Sequence, residues 1–495
     1  MKDFRRNMRV ALFNHPFNDF YKSPSRMSSG ILSYLAHMIG NYESICFDVV
    51  KHIVTPIDLP DELSYIAPHI CDDITDYSFF RSYFRFGAVH NFNHKDFKVF
   101  SPDVILITTF AFCYADGLKD QIEYLRKLSG AVIIIGGSGV SSNPQWYIEN
   151  VRSDFCVVGP AEIVLPELIE RINRGVGTED LVNVFSSAHM CKVDLNKNYN
   201  FKPYYSFNKR NKTLQLQLTR GCPKKCQYCS IGLTAGNKFR KSNPDDIENV
   251  FKLFPTIKRV DFEDDNLSCD SKYFFNVLDI VRKYCPDALI SFENGIDFTT
   301  LTDDVLERLQ NYTILQYNIS FTSAENSILD THHRGYTVDQ FEVSIRKIIK
   351  TGKPVIVYFI AGLPGDTAGN IFNTIKYLFS LDVIIGISPF YAVPGTKVIE
   401  NIKESNKPFM TSAMSFNGYG VISELEKITF FMLTRFINAM KKSNKNEFTV
   451  LGLKKSIEEK KIIGILNDGS TFEYQLDSGL VKQFFDEIIG GVLYE

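Results

Sequence analysis

Three candidate strands near the middle of the chain alternate between apolar and polar residues, and this limits the fold more than any other feature. Leu214, Leu216 and Leu218 alternate with Gln215 and Gln217. Val260 and Phe262 alternate with Arg259, Asp261 and Glu263, and Leu315, Tyr317, Ile319 and Phe321 with Gln316, Asn318 and Ser320. Helix-period segments lie between them, so the series reads as strand–helix repeats. A parallel strand covered by helices over a packed interior is nearly all apolar. Alternation instead asks for a barrel whose lumen is polar and occupied by ligand. Further candidate strands at 288–292, 355–361 and 383–388 bring the total to six rather than eight, so a partial (β/α)6 barrel is predicted.

The first of these strands runs directly into Cys222-Pro223-Lys224-Lys225-Cys226-Gln227-Tyr228-Cys229. Thiolates are soft ligands suited to iron–sulfur clusters, zinc and copper(I). A 4Fe–4S cube usually takes one Cys per iron. Three closely spaced cysteines hold three irons and leave the fourth open to a small ligand. Zinc is the alternative, although structural zinc wants four ligands. Cys269 and Cys285, the next cysteines, stand apart and read as small buried hydrophobes.

The chain of 495 residues has room for roughly two to four domains. Its 44% hydrophobic and 23% charged residues exclude bulk disorder. A formal net charge of −2 argues against a dedicated nucleic-acid binder. Ten scattered cysteines suit a reducing cytosol. Arg5-Arg6-Asn7 before the apolar residues 8–13 looks faintly like a signal peptide, but the apolar run is too short and no cleavage site follows. No stretch approaches the ~20 apolar residues of a membrane span. The expected location is cytoplasmic.

Residues 1–185 alternate strand and helix, predicting a Rossmann-like parallel sheet. Strands are expected at 8–13, 103–108, 131–135 and 155–158, with a helix at 30–39. Leu118, Ile122, Leu125 and Leu128 mark another helix, with Asp116 as N-cap and Gly130 as stop. Gly136-Gly137-Ser138-Gly139 and Gly159-Pro160-Ala161-Glu162 each follow a strand. Residues 55–100 are aromatic-rich without clear period; the part from Tyr65 to Phe92 suits either an active-site cover or core burial. Residues 186–212 read as a linker or wrapping segment, 213–400 as the barrel, and 401–495 as a small α+β extension. That extension has a long helix at 423–442 and a hairpin around Asn467-Asp468-Gly469-Ser470. Thr337 and Gln340 form a capping-box pattern, with Gly352 as stop.

The cysteine triplet, with Tyr228 before its last member, resembles the cluster loop of the radical S-adenosylmethionine superfamily. Phe262-Glu263-Asp264-Asp265-Asn266, Gly362-Leu363-Pro364-Gly365-Asp366-Thr367 and the segment from Ser388 to Thr396 look like signatures of its cobalamin-binding branch. The two glycine segments of the N-terminal half resemble the cobalamin module of those enzymes. The likeness spans roughly residues 8–400. It implies a 4Fe–4S cluster on Cys222, Cys226 and Cys229, whose open iron chelates S-adenosylmethionine and whose electron releases a 5′-deoxyadenosyl radical. It further implies that the Tyr228 backbone meets adenine and that Glu263, Asp264 and Asp265 grip the methionyl ammonium. A solvated strand-end turn is the other reading of this acidic trio. Many relatives have a Glu where Ile319-Ser320-Phe321-Thr322-Ser323 stands, so contact there falls to Ser320 or Thr322.

By the same likeness Gly136, Gly137, Ser138, Gly159 and Glu162 would contact cobalamin. The alternatives are a nicotinamide or flavin site, for which G-x-G-x-x-G with a downstream acid is absent, and a degenerate module that binds nothing. No Asp-x-His-x-x-Gly motif offers a lower cobalt ligand, and His15 is the nearest contact unless it is simply hydrogen-bonded structure. Asp366 or Thr367 would cap a helix whose loop borders the cosubstrate. His332-His333-Arg334-Gly335 either faces substrate or forms a surface turn. The leading expectation is cobalamin-dependent methyl transfer to an unactivated carbon or phosphorus of an unidentified small molecule or peptide. The others are a non-methylating cyclisation, dehydrogenation or rearrangement, and a zinc-stabilised binding protein. The expected partner is an electron donor such as flavodoxin or ferredoxin, with neither nucleic acid nor membrane. Removing residues 1–185 is expected to abolish cobalamin binding and spare cluster assembly.

Overall fold

The computed structural model describes residues 8–20, 30–71, 80, 82–187, 189–190, 192–254, 256–400, 416, 421–443, 453–456 and 461–490. The Arg5-Arg6-Asn7 run lies outside them. Continuous β-branched runs build the N-terminal sheet, whose five parallel strands stand in the order Phe155–Val157, Val132–Gly136, Val104–Thr108, Arg9–Phe13, Glu43–Phe47. One face buries Ala11, Phe13, Ile105, Ile107, Ile133 and Ile135 with the helices Ala115–Leu128 and Pro144–Asn150. The other buries Val10, Leu12, Val104, Leu106 and Ile134 with the helices Gly30–Met38 and Leu165–Arg174. Burial on both faces is why these strands read as solid apolar runs. Strand order reverses between Arg9–Phe13 and Val104–Thr108, so their carboxyl ends flank a topological switch point, the usual ligand crevice of such sheets.

Asp116 is not the N-cap expected of it. A 3-10 turn, Phe112–Tyr114, feeds straight into the helix, which leaves Asp116 in the first turn. There its charge favours the helix N-terminus without capping it. Leu128 is exposed, and the helix stops in an extended Ser129 ahead of Gly130.

The unassigned aromatic segment forms a small antiparallel sheet, Phe17–Asp19, Tyr83–Phe86 and Val54–Ile57, with a 3-10 stretch at Asp61–His69. Phe20, Phe80 and Tyr83 pack with Phe416 and Phe431, joining the barrel core. Phe80, Tyr83 and Phe86 of this segment are buried. Parts of the predicted linker are sheet: Val184–Ser186 and His189–Met190 extend the N-terminal sheet, and Tyr204–Asn208 pairs antiparallel with the first barrel strand.

The barrel is an open arc of six parallel strands. Thr213–Gln217, Arg259–Phe262 and Leu289–Phe292 form one half; Tyr317–Ser320, Val355–Ala361 and Ile384–Pro389 form the other. Two isolated parallel bridges, Ile290 to Ile314 and Ile296 to Ile319, join the halves. Leu214, Leu216, Val260, Phe262, Ile319 and Val357 point outward into the helix-covered core. The alternate residues Ser320, Tyr358, Ile360 and Ser388 line an interior cavity, which accounts for the alternation. The capping box of Thr337 and Gln340 is present, and Thr367 caps Ala368–Phe379.

The long helix Glu424–Ser443 covers the arc's last strand, where Asn438 accepts from the Ile385 N–H (2.9 Å) and donates to the Ile385 carbonyl (2.7 Å). The expected hairpin forms as Lys461–Ile465 and Thr471–Glu473, joined by Leu453–Ser456 as a third strand. Among the described residues no helix is long and apolar enough to cross a membrane.

Candidate active site

A cavity of about 740 Å³ opens at the carboxyl ends of the barrel strands. Cys222, Cys226 and Cys229 all line it, together with Asp265, Asn266, Asn294, Ser320 and Tyr358. The loop that carries the thiols is held from several sides. The Cys222 N–H donates to the Gly236 carbonyl at 3.4 Å and the Cys229 N–H to the Cys226 carbonyl at 3.2 Å. The short helix Ile231–Thr234 follows at once. Asn266 Nδ2 lies 3.6 Å from Cys222 Sγ, and Arg334 Nη1 donates to Cys226 Sγ at 3.1 Å. Burial pushes the Cys229 thiol up to about 12 and also raises Cys222. These thiols stay protonated until a metal displaces the proton, so metal loading releases protons and is favoured by higher pH.

The donor set suits a multi-iron cluster with one open position: three soft donors on one loop facing a cavity. Structural zinc would want a fourth donor beside the three thiols.

The acidic trio separates into three roles. Glu263 accepts from Gln215 Nε2 at 2.8 Å and does not line the cavity. Asp264 is buried, and its Oδ1 accepts from the N–H of Leu218 (2.8 Å), the N–H of Thr219 (2.5 Å) and the Thr219 hydroxyl (2.6 Å). It straps the end of the second barrel strand to the segment entering Cys222. Asp265 alone of the three faces the cavity. Burial pushes it up to about 6, and Arg220 is the cation that opposes this. The pair of candidates in the fourth strand also separates. Ser320 lines the cavity, whereas Thr322 is buried, its Oγ1 3.0 Å from the Tyr228 hydroxyl.

Asp264 makes stability depend on pH. Burial pushes its carboxyl up to about 7 from the usual 3.8, against the three donors on Oδ1. The folded chain thus favours the protonated form. The stabilisation is complete below about pH 4 and is lost as pH rises through about 7. Asp264→Asn keeps the acceptor and removes the titration. The expected outcome is a flatter melting temperature between pH 4 and 7 than in the unsubstituted chain; parallel curves would refute it.

The glycine segments expected to contact cobalamin do not line the barrel cavity and lie in the N-terminal sheet's own loops. Gly137 has φ +103°, and a Cβ there would lie 2.3 Å from the Thr109 carbonyl oxygen. Gly159 has φ +79°, and its Cβ would lie 2.2 Å from Leu195 Cδ2. Both are filled by the chain's own packing. Gly136 ends its strand, and Ser138 opens the helix Ser138–Ser142, which packs on Ile231–Thr234 behind the cysteine loop. Glu162 accepts from the Tyr34 hydroxyl at 2.5 Å and lies 3.8 Å from Arg220 Nη2. At the switch point His15 is buried, its Nδ1 2.8 Å from the Pro16 carbonyl and its Nε2 without a partner among the described residues. Burial lowers it to about 4, so the ring is neutral. Phe110 is 44% exposed at the same place.

The sequence missed Arg334 as a sulfur ligand's partner, although its segment stood out. Three residues of that run meet the cysteine loop: the His332 carbonyl accepts from the Gln227 N–H at 3.4 Å and its ring lies edge-on to Tyr228, His333 Nε2 is 3.2 Å from Gln227 Nε2, and Arg334 donates to Cys226; His332 Nε2 itself meets the Pro364 carbonyl at 2.9 Å.

Residues 216–378 match the family model described as the radical SAM superfamily. Over 373 residues the chain is 22% identical to an uncharacterized methyltransferase of Pyrococcus horikoshii, covering 70% of this chain and 79% of that protein. The fold is similar to that of the radical S-adenosylmethionine methyltransferase TsrM from Kitasatospora setae, solved with tryptophan substrate and an S-adenosylmethionine analogue bound. That likeness has a TM-score of 0.58 at 16% identity, over 78% of this chain and 74% of that one. It is also similar to the cobalamin-dependent S-adenosylmethionine radical enzyme OxsB, solved with aqua-cobalamin bound, at a TM-score of 0.54 and 14% identity over 97% of this chain and 67% of that one.

Proposed function

From the premise that this chain carries a radical SAM domain, we propose that it is an enzyme that cleaves S-adenosylmethionine reductively and transfers a methyl group, with cobalamin, to an unactivated carbon of a small molecule. The observation that carries this reading is the three thiols on one loop at the edge of a cavity that also holds Asp265 and Ser320. Cys222, Cys226 and Cys229 would hold the cluster, which when bound would supply an electron to the sulfonium. The residues of this chain do the remaining work. Asp265 offers a carboxylate to the methionyl ammonium, Ser320 a hydroxyl to the sugar or methionyl group, and the Tyr228 backbone a face to adenine. The cavity, of about 740 Å³, falls within the roughly 300–1,000 Å³ typical of small-molecule sites. The reducing electron comes from a small donor protein of the flavodoxin or ferredoxin class.

Likeness of the fold to OxsB and to TsrM, each also solved with cobalamin bound, supports cobalamin. We assign it to the switch point, where His15 Nε2 has no hydrogen-bond partner among the described residues and Phe110 is exposed, rather than to the glycine run. The packed state of Gly137 and Gly159 favours one second reading, a module without cobalamin beside non-methylating radical chemistry. Oxygen-free purification with cobalamin, followed by iron, sulfide and cobalt counts, separates these. Label transfer from methyl-labelled S-adenosylmethionine completes the test. Stoichiometric cobalt and labelled product are expected; iron-free protein would refute the whole reading, and cobalt-free active protein the methyl-transfer half.

A further inference from the structure

Glu162 reaches the metallocentre loop from the other sheet. Its side chain is 9% exposed, and it faces the Arg220 guanidinium, 14% exposed, at 3.8 Å. Arg220 stands two residues before Cys222 in the sequence. Its guanidinium lies over the Phe201 ring, 5.2 Å from the centroid, and donates to the Gln217 side-chain oxygen. Tyr34, from the helix Gly30–Met38, fixes the Glu162 carboxylate from behind. Each charge, largely removed from water, is compensated by the other, so removing one partner leaves the other buried and uncompensated.

We propose that Glu162 is a positioning residue for the metallocentre: it anchors Arg220, and through that guanidinium it fixes the chain's entry into Cys222 and the charge presented to Asp265. The inference rests on the cluster assignment made above. It gives the N-terminal sheet a task independent of any cofactor of its own. It also reverses the expectation that residues 1–185 can be removed with cluster assembly intact, because Arg220 would then be left partly buried without its carboxylate.

The full-length protein provides the test through three variants. Glu162→Gln adds one unit of positive charge beside the loop, Arg220→Gln removes one, and the double variant restores neutrality. Reductive titration followed by electron paramagnetic resonance gives the cluster's midpoint potential, and equilibrium binding gives the Kd of S-adenosylmethionine. Glu162→Gln is expected to raise the potential and weaken binding of the methionyl ammonium roughly threefold or more. Arg220→Gln is expected to lower the potential, and the double variant to return toward the unsubstituted value. A merely structural role would lower iron per chain in all three without opposed shifts, and that result overturns the proposal. If the single variants fail to load iron, loading by the double variant supports the pair and failure of the double variant overturns it. Unsubstituted protein that loads no cluster refutes instead the function proposed above.

Discussion

Replacing any one of Cys222, Cys226 or Cys229 with Ala lowers reductive cleavage of S-adenosylmethionine by ~10³-fold or more, the scale expected when an essential group of a cofactor site is lost. Each thiol is one of three donors from a single loop, and no other described residue joins them to complete a metal-binding group. Two remaining thiolates leave two irons of a cube unsupported, and assembly fails before any question of electron transfer arises. Anaerobic iron and sulfide counts, visible absorption and 5′-deoxyadenosine formation read the loss. Cys269→Ala is the control, and it should retain cleavage, since Cys269 does not line the cavity. Unimpaired deoxyadenosine formation by any of the three variants would sink the assignment.

Gly137→Ala destabilises the metal-free, cobalamin-free chain by ~2–4 kcal/mol, through a positive φ forced on a residue with Cβ and a collision with backbone that cannot move aside. The collision is with the Thr109 carbonyl at 2.3 Å. Gly136 supplies the contrast: its Cβ would meet Val157 at 3.5 Å, an ordinary contact, so Gly136→Ala costs under ~1 kcal/mol. Denaturant unfolding of the apo chain measures both. Normal stability of Gly137→Ala combined with loss of cobalamin would restore the glycine run to the cofactor site.

The barrel was legible because its strands carry two instructions at once, an apolar set for the helix side and a polar set for the lumen. Six strands, the capping box at Thr337 and the cysteine loop all followed from local pattern. The segment of residues 55–100 did not, because its strands are three to four residues long and its aromatics bury against partners far along the chain, Phe416 and Phe431 among them. The different surroundings of the acidic trio were not legible for a similar reason. Adjacent strand-end residues point in different directions, so Glu263, Asp264 and Asp265 meet a glutamine, a backbone strap and a cavity respectively. Glycines that follow a strand announce close approach of something; here the approaching groups are Thr109 and Leu195.

An unclosed arc has a raw margin, and Asn438 shows how this one is dressed. Its side-chain amide offers the Ile385 peptide the same donor and acceptor that a seventh strand would offer. A helix thereby impersonates sheet at one point, blunting the invitation that unpaired margins extend to other chains. Asn438→Leu would preserve bulk yet bare that peptide, so the first symptom would be self-association rather than unfolding.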